Sequence, residues 1–287
     1  MVTTLTDDLA GTLSLGGDLA VRRLGFGAMR ITGDGVWGPP DDLDGARAVL
    51  RRTVELGVNL IDTADSYGPD VSEELIADAL HPYPDDLVIA TKGGLLRTGP
   101  GEWPPNGRPE HLREACEGSL RRLRVDTIDV YQLHRPDPDV RYEDSVGALA
   151  ELQAEGKVRH VGVSNVDLEQ LSRARDIVTV VSVQNEYNLA DRHAEDVLDV
   201  CAEAGIGFIP WFPLKMGNLT QANGPVAEVA EGVDASPGQV ALAWLLHHSR
   251  VMLPIPGTSS IDHLEENVAA AAVDLSDDDL AALDEVA

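Results

Sequence analysis

The sequence predicts an α/β fold: a (β/α)8 TIM barrel with an N-terminal β-hairpin and an extra C-terminal helix. Eight short apolar runs alternate strictly with eight amphipathic segments, and the runs end in polar residues. Such alternation is typical of a parallel sheet covered by helices, and eight repeats favour a closed barrel with its site at the strand ends. A doubly wound sheet is the alternative, but nothing in the spacing divides the chain into two halves. We therefore expect one domain over residues 1–287.

The hairpin is predicted from two alternating runs, residues 12–15 and 18–21, which flank the dipeptide Gly16-Gly17. Two glycines suit a tight turn between antiparallel strands. The apolar runs that follow are predicted barrel strands. They are Arg23–Gly27, Asn59–Asp62, Leu87–Thr91, Ile128–Leu133, Val158–Val163, Val180–Gln184, Gly207–Pro210 and Met252–Ile255.

The amphipathic segments between these strands are predicted helices. They are Asp44–Leu56, Ser72–Leu80, Pro109–Leu123, Tyr142–Glu155, Asp167–Arg175, Arg192–Glu203, Pro237–His248 and Ile261–Ala270, with a last helix from Ser276. Three starts carry capping signals: Ser72 with two glutamates, Ser236 before a proline, and Ser276 with Asp279. The longest connections follow strands, at residues 29–42, 93–108 and 211–225, where a barrel carries its site.

Composition excludes several classes of function. With 22 basic and 49 acidic residues, the net charge of −27 repels nucleic-acid phosphates and anionic membrane surfaces. No apolar run approaches the ~18 to 20 residues that span a bilayer, and the N-terminus has no secretory pattern. The two cysteines have no metal-finger spacing, and no strand ends in His-x-His. We expect a soluble cytoplasmic protein without a metal.

Four polar side chains stand at the ends of three successive predicted strands. Asp62 and Tyr67 follow the second strand, Lys92 the third and His134 the fourth. A carboxylate at the end of a buried strand requires a cation or hydrogen bonds, and Lys92, one of three lysines, follows the neighbouring strand. An Asx-type turn at Asp62 followed by a core tyrosine is the structural alternative.

A tyrosine beside a lysine and a histidine can transfer a proton. The phenol has a reference pKa of about 10, and a neighbouring ammonium favours the phenolate, so we expect the pKa of Tyr67 to fall toward neutrality. In carbonyl reduction a nicotinamide gives a hydride to the carbon while such an acid protonates the oxygen.

These residues resemble those of the aldo-keto reductase superfamily over nearly the whole chain. The motifs are Asn59-Leu-Ile-Asp-Thr-Ala-Asp-Ser-Tyr-Gly68, Thr91-Lys92, Gln132-Leu-His134, Gly162-Val-Ser-Asn165 and Ile255-Pro-Gly-Thr-Ser-Ser-Ile-Asp-His-Leu-Glu-Glu-Asn267. The resemblance implies that Tyr67 is the general acid, that Lys92 and Asp62 tune it, and that His134 orients the carbonyl.

The same resemblance implies a nicotinamide dinucleotide as cofactor. Ser164, Asn165 and Gln184 match positions that hold the carboxamide, and Trp211 matches the aromatic residue that stacks on the ring. Gly257 to Ser260 open a helix and can take a phosphate on its N–H groups. The other expected contacts are Ala28, Met29, Asp62, Phe212, Pro213, Leu214, Gly217, Thr258, Ser259, His263, Glu266 and Asn267. We expect NADP(H) rather than NAD(H), although His263 stands where many NADP-preferring members have arginine.

Within the superfamily, the pattern is similar to that of bacterial pyridoxal reductases. The shared segments include Val36-Trp-Gly-Pro-Pro40, Tyr67-Gly-Pro69, Val183-Gln-Asn-Glu-Tyr-Asn188 and Phe212-Pro-Leu214. Trp37 and Trp103, each in a long loop, are candidate walls for a flat aromatic aldehyde such as pyridoxal. Two other functions are a nucleotide-binding sensor barrel with little turnover, which the complete set of four strand-end residues argues against, and a metal-dependent hydrolase.

Overall fold

The computed structural model describes residues 2–215 and 224–286, which form a helix-covered parallel sheet with a hairpin in front. The hairpin pairs Thr12–Leu15 (β1) with Leu19–Arg22 (β2), close to the predicted bounds. Within the described ranges, seven parallel strands lie side by side in chain order. They are Phe26–Gly27 (β3), Leu60–Asp62 (β4), Val88–Gly93 (β5), Ile128–Leu133 (β6), Val158–Ser164 (β7), Val180–Gln184 (β8) and Gly207–Phe208 (β9).

The eighth predicted strand, residues 252–255, closes the barrel without forming a regular strand. On one side Leu253 N–H donates to the Phe208 carbonyl (2.8 Å). On the other side, Gly25 N–H donates to the Pro254 carbonyl over 2.9 Å and Gly27 N–H to the Pro256 carbonyl over 3.5 Å. The prediction of a strand was wrong because proline has no N–H, so residues 254 and 256 cannot return a hydrogen bond to β3.

Eleven α-helices lie in the described part of the chain, and none is long and apolar enough to cross a bilayer. They are Asp7–Ala10 (α1), Leu43–Glu55 (α2), Val71–Leu80 (α3), Pro109–Leu123 (α4), Tyr142–Ala154 (α5), Leu168–Arg175 (α6), Glu195–Ala204 (α7), Pro225–Gly232 (α8), Pro237–His248 (α9), Ile261–Ala269 (α10) and Asp277–Asp284 (α11). Helices α1 and α8 were not predicted from the sequence, although Pro225 at the first helical position and the apolar residues 226, 229 and 230, which are buried, were a usable signal for α8.

Two of the three predicted helix caps are confirmed. Ser236 with Gln239 and Ser276 with Asp279 form reciprocal capping boxes at the starts of α9 and α11. The third prediction was wrong, because Ser72 lies inside α3 and is fully buried. Its hydroxyl donates to the Ala28 carbonyl over 3.1 Å, which ties α3 to the end of β3.

The barrel interior has an apolar end and a polar end. Side chains of a strand alternate between its two faces, so Leu60 shares a face with Asp62, and Val88 with Lys92. The apolar end is packed by the hairpin residues Leu15 and Val21, which join Leu60 and Val88 in one buried cluster. The polar end therefore lies at the C-terminal ends of the strands, where the sequence predicted the site.

Candidate active site

The buried ion pair between Lys92 and Asp62 lies at the centre of the polar end. Lys92 Nζ is 2.6 Å from Asp62 Oδ2, and the two side chains are 0% and 2% exposed. The ammonium also donates to the Thr63 carbonyl at 2.8 Å and to the Tyr67 hydroxyl at 3.4 Å. Burial alone would lower the pKa of Lys92, but attraction to Asp62 and Tyr67 outweighs it and raises that pKa. A charged ammonium therefore adjoins the phenol.

The second oxygen of Asp62 is held by two amides. Asp62 Oδ1 accepts from Gln184 Nε2 at 2.8 Å and from Gln132 Nε2 at 3.2 Å. From the sequence alone, Gln132 had no predicted role and Gln184 was assigned only to the cofactor, because no local pattern shows that both reach one carboxylate. These two hydrogen bonds and the contact with Lys92, in all of which the Asp62 carboxylate is the acceptor, hold its side chain beside Lys92.

Tyr67 is a buried phenol, only 7% exposed. Burial raises its pKa, and the neighbouring Lys92 ammonium, which lowers it, offsets only part of that effect. The expectation of a lowered pKa was therefore wrong, because it considered the charge of Lys92 and left out the loss of water around the phenol. The hydroxyl keeps its proton at neutral pH, as a general acid must.

His134 packs edge to face against Tyr67, with ring centroids 5.9 Å apart. Burial, the Lys92 ammonium and Arg135 hold the pKa of His134 well below its ordinary value, so the imidazole is neutral. Its Nδ1 lies 3.4 Å from the Ser66 hydroxyl. A neutral imidazole has one N–H to donate, which suits a residue that orients a carbonyl without competing for the proton of Tyr67.

Asp65, the second acid in the segment 59–68, is buried but takes no part in the ion pair between Lys92 and Asp62. Its Oδ1 has no hydrogen-bond partner in the described structure. Burial and the nearby Glu73 carboxylate raise the pKa of Asp65 well above its ordinary value, while Arg122 offsets this only in part. Glu73 itself accepts from the Arg122 guanidinium at 2.7 Å, so that guanidinium is already engaged.

Asp65→Asn is expected to stabilise the protein at neutral pH. An acid with a raised folded-state pKa favours the folded state at low pH, and that contribution is lost as pH rises from the unfolded pKa near 3.8 through the folded pKa. Replacing the carboxylate should raise the free energy of unfolding by about 1–3 kcal/mol near pH 8 and by progressively less toward pH 5. Urea unfolding at several pH values measures this, with the exposed Asp85→Asn as control; a gain independent of pH would contradict it.

The residues predicted to hold the nicotinamide end lie next to this centre. Ser164 Oγ donates to the Gln184 carbonyl at 2.7 Å, and Asn165 Nδ2 donates to the His134 carbonyl at 3.0 Å. Asn165 adopts a left-handed backbone with φ 58, a conformation that asparagine tolerates. Trp211 packs against Phe212 with centroids 4.7 Å apart, and its buried indole N–H finds no acceptor in the described structure.

The predicted phosphate turn, residues 257–260, precedes α10 beside the end of β3. A Cβ on Gly257 would lie 2.4 Å from the Gly27 carbonyl oxygen, so only glycine fits this approach. The Ser260 side chain caps α10, and Thr258 Oγ1 accepts from Ser260 N–H at 3.0 Å. The Cγ of Arg30, a residue without a predicted role, lies 3.6 Å from that Cβ position.

The remaining predicted contacts lie after β3, in and just before α10, and after Trp211. Ala28 is buried and Met29 half-buried at the end of β3, while Ser259 and His263 are exposed beside the turn. Glu266 accepts from the Ser236 hydroxyl, and Asn267 is buried. Pro213 and Leu214 continue from Phe212, and Gly217 lies outside the described residues. Within the described ranges, no group of three His, Cys, Asp or Glu side chains is placed to hold a metal.

Both candidate substrate-wall residues lie near Tyr67. The Trp103 ring meets Tyr67 edge to face at 6.3 Å. Trp37, which is 37% exposed, pairs through its backbone with Gly68, the residue after Tyr67. By contrast, Trp244 is 1% exposed and packs in a hydrophobic cluster with residues of the helices.

Comparison with known proteins relates this site to one family. A model of the Aldo/keto reductase family matches residues 23–287. An uncharacterised oxidoreductase of Schizosaccharomyces pombe is 52% identical over 276 residues, covering 96% of this chain and 90% of that protein. Pyridoxine 4-dehydrogenase of Escherichia coli is 45% identical over 275 residues, covering 93% and 96% respectively. An aldo-keto reductase from Klebsiella pneumoniae, crystallised with NADPH, has a TM-score of 0.81 at 29% identity over 99% of this chain and 95% of that chain.

Proposed function

Because the chain belongs to the aldo/keto reductase family and is an NADP(H)-dependent oxidoreductase, we propose that it reduces aldehydes and ketones to alcohols with Tyr67 as the general acid. The observation that carries this proposal is the buried contact between the Tyr67 hydroxyl and the Lys92 ammonium, 3.4 Å apart. A proton donor with a fixed cation beside it suits a carbonyl oxygen on which negative charge develops.

Each residue of the buried set has a separate part in the proposed reaction. Tyr67 gives its proton to the substrate oxygen, and the phenolate that remains is stabilised by the Lys92 ammonium. Asp62 keeps that ammonium charged and in place. His134 donates one hydrogen bond to the same oxygen and so sets the orientation of the carbonyl. Since His134 is neutral, it leaves proton transfer to Tyr67.

The residues predicted to contact the cofactor fit NADP(H). The indole N–H of Trp211 lacks an acceptor among the described residues, and the turn at Gly257 exposes backbone where no side chain fits. When bound, the cofactor supplies the hydride for the carbonyl carbon. We propose that Ser164 and Asn165 hold the carboxamide and that the turn and the exposed His263 hold phosphate groups.

We further propose that pyridoxal is a substrate. The relative from Escherichia coli that is 45% identical is named for its action on pyridoxine, the alcohol that corresponds to pyridoxal. Trp37 and Trp103 support the same choice, because two indoles near the acid favour a flat aromatic aldehyde.

A panel of carbonyl compounds tests both levels of the proposal. Purified protein is expected to oxidise NADPH faster than NADH with pyridoxal, 4-nitrobenzaldehyde and propanal, and to turn over pyridoxal with the highest kcat/KM, as followed by cofactor absorbance. Turnover of pyridoxal no better than that of 4-nitrobenzaldehyde would contradict the substrate. Tight binding of NADPH without reduction of any carbonyl would contradict reductase activity and favour a regulatory barrel.

A further inference from the structure

Arg97, in the loop after β5, is half-buried and surrounded by backbone carbonyls beside the candidate site. A guanidinium has five N–H donors. Each is directed at a carbonyl oxygen, and these belong to Val36 (2.6 Å), Ser66 (2.8 Å), Gly35 (3.0 Å), Glu102 (3.1 Å) and Gly99 (3.4 Å). The five acceptors come from three separate segments of the chain: the loop after β3, the peptide that precedes Tyr67, and the loop of Arg97 itself.

The same guanidinium contacts both candidate wall residues. Its Cζ lies 3.6 Å from the centroid of the Trp103 ring and 5.4 Å from that of Trp37. Stacking of a guanidinium on an indole is favourable. The planar group can contact two rings and donate hydrogen bonds to several carbonyls at the same time. Arg97 therefore links the two long loops to each other and to the peptide next to Tyr67.

The backbone at the Arg97 contact is held in an uncommon conformation. Gly35 and Val36 are consecutive left-handed residues, with φ of 67 and 55. A β-branched residue is rarely found in that region, and the conformation persists only where surrounding contacts enforce it. Here the enforcing contacts are visible, since the Gly35 and Val36 carbonyls both accept from Arg97.

We infer that Arg97 is a positioning residue that fixes Trp37 and Trp103 as the wall of the substrate site and thereby makes the site selective for flat aromatic carbonyls. With all five donors engaged by carbonyls, Arg97 is not a receptor for an anionic group of the substrate. This inference rests on the proposed carbonyl reduction and adds to it a residue that determines specificity.

Arg97→Lys tests the inference, because lysine keeps the charge but has three donors and no plane to stack. We expect kcat/KM for 4-nitrobenzaldehyde to fall on the order of 10- to 100-fold, mainly through KM, because the wall is displaced. Propanal is too small to contact the wall. For this substrate we expect kcat/KM to change by less than about 3-fold. Tryptophan emission should shift to longer wavelength as Trp37 and Trp103 lose contacts.

A second aromatic substrate distinguishes a positioning role of Arg97 from direct binding of an anionic group of the substrate. If Arg97 bound an anionic group, Arg97→Lys would penalise 4-carboxybenzaldehyde and 4-nitrobenzaldehyde to different extents. We expect equal losses for both, and unequal losses would overturn the inference. Arg108→Lys, an exposed arginine of the same loop, is the matched control and should leave all three substrates unchanged.

Other outcomes are also decisive. Equal losses for propanal and the aromatic aldehydes would mean that Arg97 supports the site as a whole and would overturn the inference, whereas wild-type protein that reduces none of them would contradict the proposed function instead. Should Arg97→Lys lose its native circular dichroism, Trp103→Leu replaces it. That variant is expected to reproduce the selective loss of kcat/KM with aromatic substrates. An unchanged ratio of kcat/KM for aromatic aldehydes to kcat/KM for propanal would contradict the role of the two tryptophans as a wall.

Discussion

Tyr67→Phe is expected to lower kcat for aldehyde reduction by about 10²- to 10⁴-fold, the contribution typical of a positioned general acid. The substitution removes the hydroxyl that lies 3.4 Å from Lys92 Nζ and leaves the ring that packs against His134 and Trp103. Steady-state rates from cofactor absorbance measure the loss.

The binding of NADPH and the stability of the fold serve as controls for this variant. The dissociation constant of NADPH, from fluorescence titration, should change little, since the phenol is not among the proposed cofactor contacts. Because burial raises the pKa of Tyr67, wild-type kcat for reduction should be flat through neutral pH and should fall only in strongly alkaline solution. Retention of most activity by Tyr67→Phe would assign proton transfer to another group.

Lys92→Met is expected to lower the free energy of unfolding by about 3–5 kcal/mol and to abolish most activity. It leaves the Asp62 carboxylate, 2% exposed, without its cation, and an uncompensated buried charge is the costly part of breaking such a pair. Removing the charge as well, in Lys92→Met/Asp62→Asn, should recover part of the stability but none of the activity. Urea unfolding and steady-state kinetics of the single and double variants measure both effects.

The matched control uses the same substitution in an exposed pair. Lys157 Nζ lies 2.9 Å from Glu117, with side chains 32% and 48% exposed, so Lys157→Met should cost no more than about 1 kcal/mol. If Lys92→Met were no more costly than Lys157→Met, or if the double variant were the least stable of the set, the buried pair would not be the element that holds the site together.

Sequence alone was sufficient for the barrel and for the identity of the buried pair. Strict alternation of apolar runs and amphipathic segments leaves few arrangements that bury both, and parallel strands bring their C-terminal ends to one edge. Asp62 and Lys92 could be paired in advance for the same reason, since neighbouring strands in the sheet are consecutive in the chain, here β4 and β5. The cofactor class was implied by the resemblance of residues at the later strand ends to those of the aldo-keto reductase superfamily.

Several properties were decided only by the tertiary structure. Gln132 and Gln184 meet on Asp62 Oδ1 because the sheet curls, which no local pattern in either strand reveals. Five carbonyls surround Arg97 because three segments distant in sequence come together above the strand ends. Whether the pKa of Tyr67 is raised or lowered depends on how completely the folded chain excludes water from the phenol. Sequence determines which groups are present and which strand end carries them, whereas desolvation and convergence depend on distances that exist only after the barrel has closed.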